Sequence, residues 1–166
     1  MKKYSVEFKW ALVFSVMSLM WISMEKFSGL HDENISNHAT ITNLFAIPAI
    51  LVYVFALLEK RKNNYNGIIS WQQGFQTGLI ITVFISLLVP LNQLLTHYII
   101  SPDYFNNIIN ESIRQGIISE QEATKYFSFQ SYIFKSMFGA VVMGIISSAI
   151  SALIVMKKSV NKPNIM

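Results

Sequence analysis

The chain has 166 residues, enough for one compact unit; 52% are hydrophobic, 13% are charged, and the formal net charge is +4. An ordinary soluble domain carries about 25% charged residues, and here the apolar residues gather into long uncharged runs, which selects a membrane protein over a soluble core. The absence of cysteine excludes a disulfide framework, a thiolate nucleophile and a zinc–cysteine site, and the cations sit in short clusters beside apolar runs with no basic aromatic surface elsewhere, so nucleic-acid binding has no support.

The N-terminus, MKKYSVEFKW, sets Lys2, Lys3 and Lys9 against the run WALVFSVMSLMWISM. A basic start before an apolar core also describes a secretory signal, but Glu25, Lys26 and Phe27 stand where a small-x-small cleavage site belongs. The reading is an uncleaved first span over about residues 6–26, with Lys9 snorkelling and Tyr4, Trp10 and Trp21 at interfacial levels. A polar loop follows, holding Gly29, His31, Asp32, Glu33 and His38. The second span is predicted at about 41–58, with Pro48 about two turns inside it and expected to bend it. Lys60-Arg61-Lys62 comes next, a triplet that fixes orientation and offers charge to anionic lipid, then a turn-rich Asn-Asn-Tyr-Asn-Gly. The third span is predicted at about 75–99, with Trp71 as an interfacial residue before it. Gly74, Gly78, Thr82, Ser86 and Pro90 recur at every fourth position and so share one helix face.

Between about 101 and 130 lies the longest polar stretch. Ser101-Pro102-Asp103 is a turn or helix-start signal. Tyr104, Phe105, Ile108, Ile109 and Ile113 line one side of a short amphipathic helix ending at Gly116, and Ser119 with Glu122 fits a capping box opening a second helix. This excursion is expected on the membrane surface, aromatic face down. The fourth span is predicted at about 134–156. It carries its own four-residue stripe, Ser136, Ala140, Gly144, Ser148 and Ala152. Small residues let backbones approach closely in lipid, so the two stripes predict close packing of spans three and four. Homo-oligomer contact is the other use open to such a face.

Four spans put the N-terminus, the middle loop and the C-terminus on one side. That side holds Lys2, Lys3, Lys9, Lys60, Arg61, Lys62, Lys157, Lys158 and Lys162; the other holds Lys26, Arg114, Lys125 and Lys135. Retention of cations inside predicts cytoplasmic termini.

MKKYSVEFKWAL, GLHDE with His38 seven residues after His31, TNLFAIPAI, and Gln72-Gln73-Gly74-Phe75 with Gly78 recur in this order. Together they resemble a family of bacterial inner-membrane proteins, the domain of unknown function 4199 family, over nearly the whole chain. The resemblance implies a four-helix integral membrane protein without an established activity, and no catalytic residue carries over from it.

One polar constellation has chemical potential. Glu25 closes the first span, His31, Asp32, Glu33 and His38 occupy the first loop, Asn43 opens the second span, and Asn92, Gln93 and His97 end the third on the same side. Gathered at one mouth, such groups bind a divalent cation or relay protons. Against this, loop residues at a bilayer surface are polar because they are wet, Asp32 or Asn43 can cap a helix, and Glu25 beside Lys26 reads as an interfacial ion pair. The uncharged cores of the runs weigh against a pump or coupled transporter. The sequence therefore predicts an all-α, integral membrane four-helix bundle with a short helical excursion between spans three and four. The leading expectation is a non-enzymatic structural or accessory protein of the bacterial inner membrane, without a cofactor, whose partners are the lipid bilayer and either a second copy or another membrane protein. The alternative is a small oligomeric transporter or channel with a polar site at its external mouth.

Overall fold

The computed structural model describes residues 4–157; the expectations resting on Lys2, Lys3, Lys158, Lys162 and the C-terminal tail lie outside these residues. The chain is all-α. Four helices are long and apolar enough to cross a membrane: Ser5–Phe27, Ile35–Asn64, Trp71–Ile100 and Phe129–Val155, here spans one to four. Each extends beyond its apolar run at one end or both. Span three opens on a Ser70–Gln73 capping box and span four on Ser128, whose hydroxyl accepts from the Ser131 amide. Asn66 and Gly67, both at positive φ, turn the chain between spans two and three.

Span two starts irregularly. A 3-10 turn (Ile35–Asn37), one α turn (His38–Ile41) and a second 3-10 turn (Thr42–Phe45) precede the regular helix Ala46–Asn64. Pro48 therefore lies in the first turn of the regular helix, where the hydrogen-bond ladder is already interrupted, and not two turns inside a bent one. Span three runs as an α-helix through Pro90 to Leu95 and widens into a π turn over Thr96–Ile100. The excursion is two helices, Tyr104–Arg114 and Glu120–Tyr126, the second opened by the Ser119–Glu122 capping box.

Around the bundle the order is one, three, four, two, with spans three and four packed most extensively. Their seam is made by the two small-residue stripes. A Cβ built on Gly78 would sit 2.5 Å from Ser148 Oγ, one on Gly144 2.4 Å from Thr82 Cγ2, and one on Gly74 3.2 Å from Ala152 Cβ. Ala140 packs against the buried core, while Ser86 returns its hydroxyl to Val83 O at 2.8 Å. Polar side chains tie the other contacts: Tyr53 and Thr82 share a hydroxyl bond of 2.8 Å, and Asn92 exchanges bonds with Ser15 and Ser18 of span one.

Two ends result. At one, the bundle holds the start of span one, the turn between spans two and three, and the end of span four. There the Lys157 amide donates to Ile69 O at 2.9 Å, Lys9 pairs with Glu59, and Glu7, only 1% exposed, meets Lys60 Nζ at 2.7 Å. This corrects one expectation. The basic triplet is not wholly offered to lipid, because Lys60 is buried and Arg61 donates to Val155 O at 2.8 Å, which leaves Lys62 as its exposed member. The other end carries the first loop and the excursion, joined where Asn107 Nδ2 donates to His31 O and Asp32 Oδ1, each at 2.9 Å.

Candidate functional site

Span one ends in a motif that folds its own loop back. The Leu30 amide donates to Glu25 O and the Gly29 amide to Lys26 O, with Gly29 at φ +75° and Leu30 buried. This 6→1 and 5→2 pair is a Schellman motif, with its glycine in the left-handed position and an apolar residue after it. The consequence is positional: the residue after Leu30, His31, lands beside the helix turn that carries Glu25. Seven residues on, the first full α turn of span two begins at His38 and sets it against the same carboxylate.

His31 Nε2 lies 3.7 Å and His38 Nε2 3.6 Å from Glu25 Oε2. The other oxygen, Oε1, accepts from Trp21 Nε1 at 2.7 Å, one turn earlier on the helix, and the Thr42 hydroxyl also reaches the carboxylate. One ligand atom from each of Glu25, His31 and His38 falls within 4.8 Å of the others. The carboxylate is 4% exposed and His31 2%. Glu25 is thus a buried carboxylate among imidazoles, not the interfacial partner of Lys26; Lys26 pairs with Asp32 instead.

The excursion helix covers the cluster. The Tyr104 ring packs 4.8 Å from His31 and 5.3 Å from His38, its hydroxyl stands 3.4 Å from His38 Nδ1, and Phe105 packs on His97 and Tyr132. Its first-turn aromatic residues therefore close over the bundle end, where the amphipathic pattern alone predicted a face laid on lipid. Burial pushes the Tyr104 phenol far above its ordinary range, so it remains a neutral hydroxyl.

Beneath it lies a cavity of about 140 Å³ lined by Glu25, His31, His38, Thr42, Thr96, His97, Ser101, Tyr104 and Tyr132, with Gln93 at its inner side. The π turn of span three delivers Thr96 and His97 to this wall; such one-turn widenings are frequent at functional sites. Of the buried side-chain atoms without a hydrogen-bond partner among the described residues, three line it: His31 Nδ1, Thr96 Oγ1 and Ser101 Oγ. Buried polar atoms are nearly always satisfied, by protein, by water or by a ligand.

The structure thus brings together Glu25, His31 and His38, with Gln93 and His97 on the wall. It sends the others elsewhere. Asp32 and Glu33 face an open surface depression with Asn107 and Arg114, Asn43 donates to Ala39 O and caps no helix, and Asn92 lies deeper, bonded to span one. Tyr104, Thr42, Thr96, Ser101 and Tyr132 were not foreseen as site residues. Trp21 was placed at an interface, although its four-residue spacing from Glu25 is the signal that links them.

The chemistry available is that of a buried carboxylate and two imidazoles lining a small chamber: cation binding, or proton exchange between neighbouring sites. Among known proteins, the family described as Protein of unknown function (DUF4199) matches residues 9–157. No curated protein and no solved structure matches the chain.

Proposed function

The chain belongs to the DUF4199 family, and we propose that it is an accessory protein of the bacterial cytoplasmic membrane that holds a small polar ligand in a chamber on the outer face without passing it through. The observation that carries this reading is the buried Glu25 carboxylate, set between two imidazoles in a cavity whose remaining polar atoms lack protein partners. Of the 13 cations, Lys9, Lys60, Arg61, Lys62 and Lys157 lie at the end away from the chamber, and Lys2, Lys3, Lys158 and Lys162 are near these in sequence; retention of cations inside supports an outward-facing chamber. Below it, past Gln93, lies a second cavity of about 170 Å³ lined by Ser15, Ser18, Asn92 and Ser136 as well as Phe14, Ile85 and Ala140. Under that layer Ala11, Tyr53, Leu57 and Ile81 pack as buried core. A conduit needs polar groups or water through this deeper layer, and its apolar packing supports a chamber closed on that side.

Because the chain has no cysteine, single introduced thiols give an unambiguous test. Thr96→Cys in the chamber wall and Lys62→Cys at the opposite end are treated in sealed cells with a small, charged, membrane-impermeant methanethiosulfonate. Thr96→Cys should react from outside, and Lys62→Cys only after the cells are opened. Reaction of Thr96→Cys from both faces would establish a conduit, and reaction from neither would remove the chamber.

A further inference from the structure

We propose that the chamber's ligand is a divalent transition-metal cation of the zinc class, coordinated by Glu25, His31 and His38 with water in the remaining position. This rests on the chamber reading above and names its ligand. The donor set carries the argument first. Two imidazole nitrogens and one carboxylate oxygen are the three protein ligands of one type of zinc site, which leaves the fourth position to water, whereas calcium and magnesium take oxygen donors alone. With metal–ligand bonds of about 2.0–2.2 Å, tetrahedral donors stand roughly 3.3–3.5 Å apart. Glu25 Oε2 stands 3.7 Å from His31 Nε2 and 3.6 Å from His38 Nε2, a few tenths of an ångström from bonding geometry on these two edges. All three donors lie within 4.8 Å of one another, so the imidazoles must close further on the ion.

Two of the three donors, Glu25 and His38, have the outer support that metal sites use, while His31 Nδ1 has no protein partner. Outer partners that fix the orientation of ligating groups are a regular part of such sites. Trp21 Nε1 holds Oε1 and leaves Oε2 to face the imidazoles, and the Tyr104 hydroxyl stands at His38 Nδ1, leaving Nε2 turned to the carboxylate. The cavity of about 140 Å³ has room for the cation and bound water, since a water molecule occupies about 30 Å³. Thr96 Oγ1 and Ser101 Oγ, both unpartnered on the wall, offer hydrogen bonds to that water.

Charge points the same way. An ionised carboxylate is expensive to bury without a compensating positive group, and among the described residues that line the cavity none is lysine or arginine. A bound divalent cation supplies a compensating charge that no lysine or arginine of the lining provides. The donors also come from three different places, the end of span one, the loop and the start of span two, held under the excursion helix, so the site forms only when the bundle folds.

The test uses the full chain, purified in mild detergent with its affinity tag removed and its metals stripped, and titrated with Co²⁺ as the spectroscopic probe, then with Zn²⁺ as competitor. The expected result is one Co²⁺ per chain with intense visible absorption of a four-coordinate site, displaced by Zn²⁺. Trp21→Phe should weaken Co²⁺ binding by about 10- to 100-fold, the range for loss of an outer partner, and Glu25→Gln and His38→Ala by more. Thr96→Cys labelling in each variant reports whether the chamber is still formed. No saturable Co²⁺ binding in the wild type, or binding that all three variants leave unchanged, overturns the metal assignment while outside-only labelling of Thr96→Cys leaves the chamber intact. Loss of labelling in the wild-type background overturns both.

Discussion

The seam between spans three and four makes a graded prediction from its glycines. Replacing a helical glycine by alanine gains up to about 1 kcal/mol of helix propensity, and at Gly139, where an added Cβ meets nothing within 4 Å, that gain stands alone. At Gly144 the same methyl would lie 2.4 Å from Thr82 Cγ2, 2.5 Å from its Oγ1 and 2.9 Å from its Cβ. Rotation of the threonine cannot move its Cβ, and its hydroxyl is tied to Tyr53. Contact between carbons is relaxed at about 3.5–4.0 Å, so the helices must separate by about 1 Å, and a gap of that size forfeits a quarter to half of the dispersion energy along the seam. Overpacking on this scale costs about 1–3 kcal/mol, which outweighs the propensity gain. Gly78→Ala meets the Ser148 backbone at 3.0 Å and belongs with Gly144→Ala, whereas Gly74→Ala, at 3.2 Å from Ala152, should be mild. The expected order of stability, measured by thermal unfolding in one detergent, is Gly139→Ala, Gly74→Ala, then Gly78→Ala and Gly144→Ala about 1–3 kcal/mol below the first. Thr82→Ala should recover part of the Gly144→Ala loss in a double-mutant cycle. If Gly144→Ala is as stable as Gly139→Ala, the close seam is wrong.

Three further outcomes follow from other contacts. Glu7→Ala takes the carboxylate from a buried ammonium and should cost about 3–5 kcal/mol, while the double replacement Glu7→Met, Lys60→Met should return near wild-type stability; equal losses in the single and double variants would refute a buried pair. Asn92→Ala removes the ties to Ser15 and Ser18 and should cost about 0.6–1.7 kcal/mol in membrane-mimetic unfolding, with no effect expected from the neighbouring exposed Leu91→Ala. In the excursion, hydrogen bonds from Ser119 hold the Glu122 carboxyl below its usual range. A carboxylate so held contributes stability above its ordinary value, and that contribution is lost as pH falls through the lowered one. Amide protection of Glu120–Tyr126 should therefore be full at neutral pH and decline on acidification below about pH 4. Ser119→Ala should cost roughly 1 kcal/mol of that helix and remove the pH dependence; protection that ignores both acid and the variant would dismiss the capping box.

Local signals fixed much of this molecule before any tertiary contact was known. Four uncharged runs dictate four crossings, because backbone groups in lipid must be satisfied within the helix. Glycine and serine at every fourth position dictate which faces are smooth, and Ser119 with Glu122 dictates where a helix begins. The histidine spacing and the family pattern of the loop were equally visible, yet their meaning was not. Periodicity reports the face of a helix, not what arrives beside it from elsewhere in the chain. Whether Glu25 pairs with Lys26 or is buried between His31 and His38 depends on how the turn at Gly29 closes and on Asn107 pinning the loop. Whether Tyr104 rests on lipid or roofs a chamber depends on how the excursion meets the bundle. The basic triplet showed the same limit at the other end, where Lys60 and Arg61 turned inward to partners over 50 and 94 residues away in sequence. The sequence by itself determined the spans and their smooth faces, since these rest on interactions within a few residues. Only the tertiary structure decided which charges are buried and which polar groups converge, because a buried charge is set by the partners that distant segments bring to it.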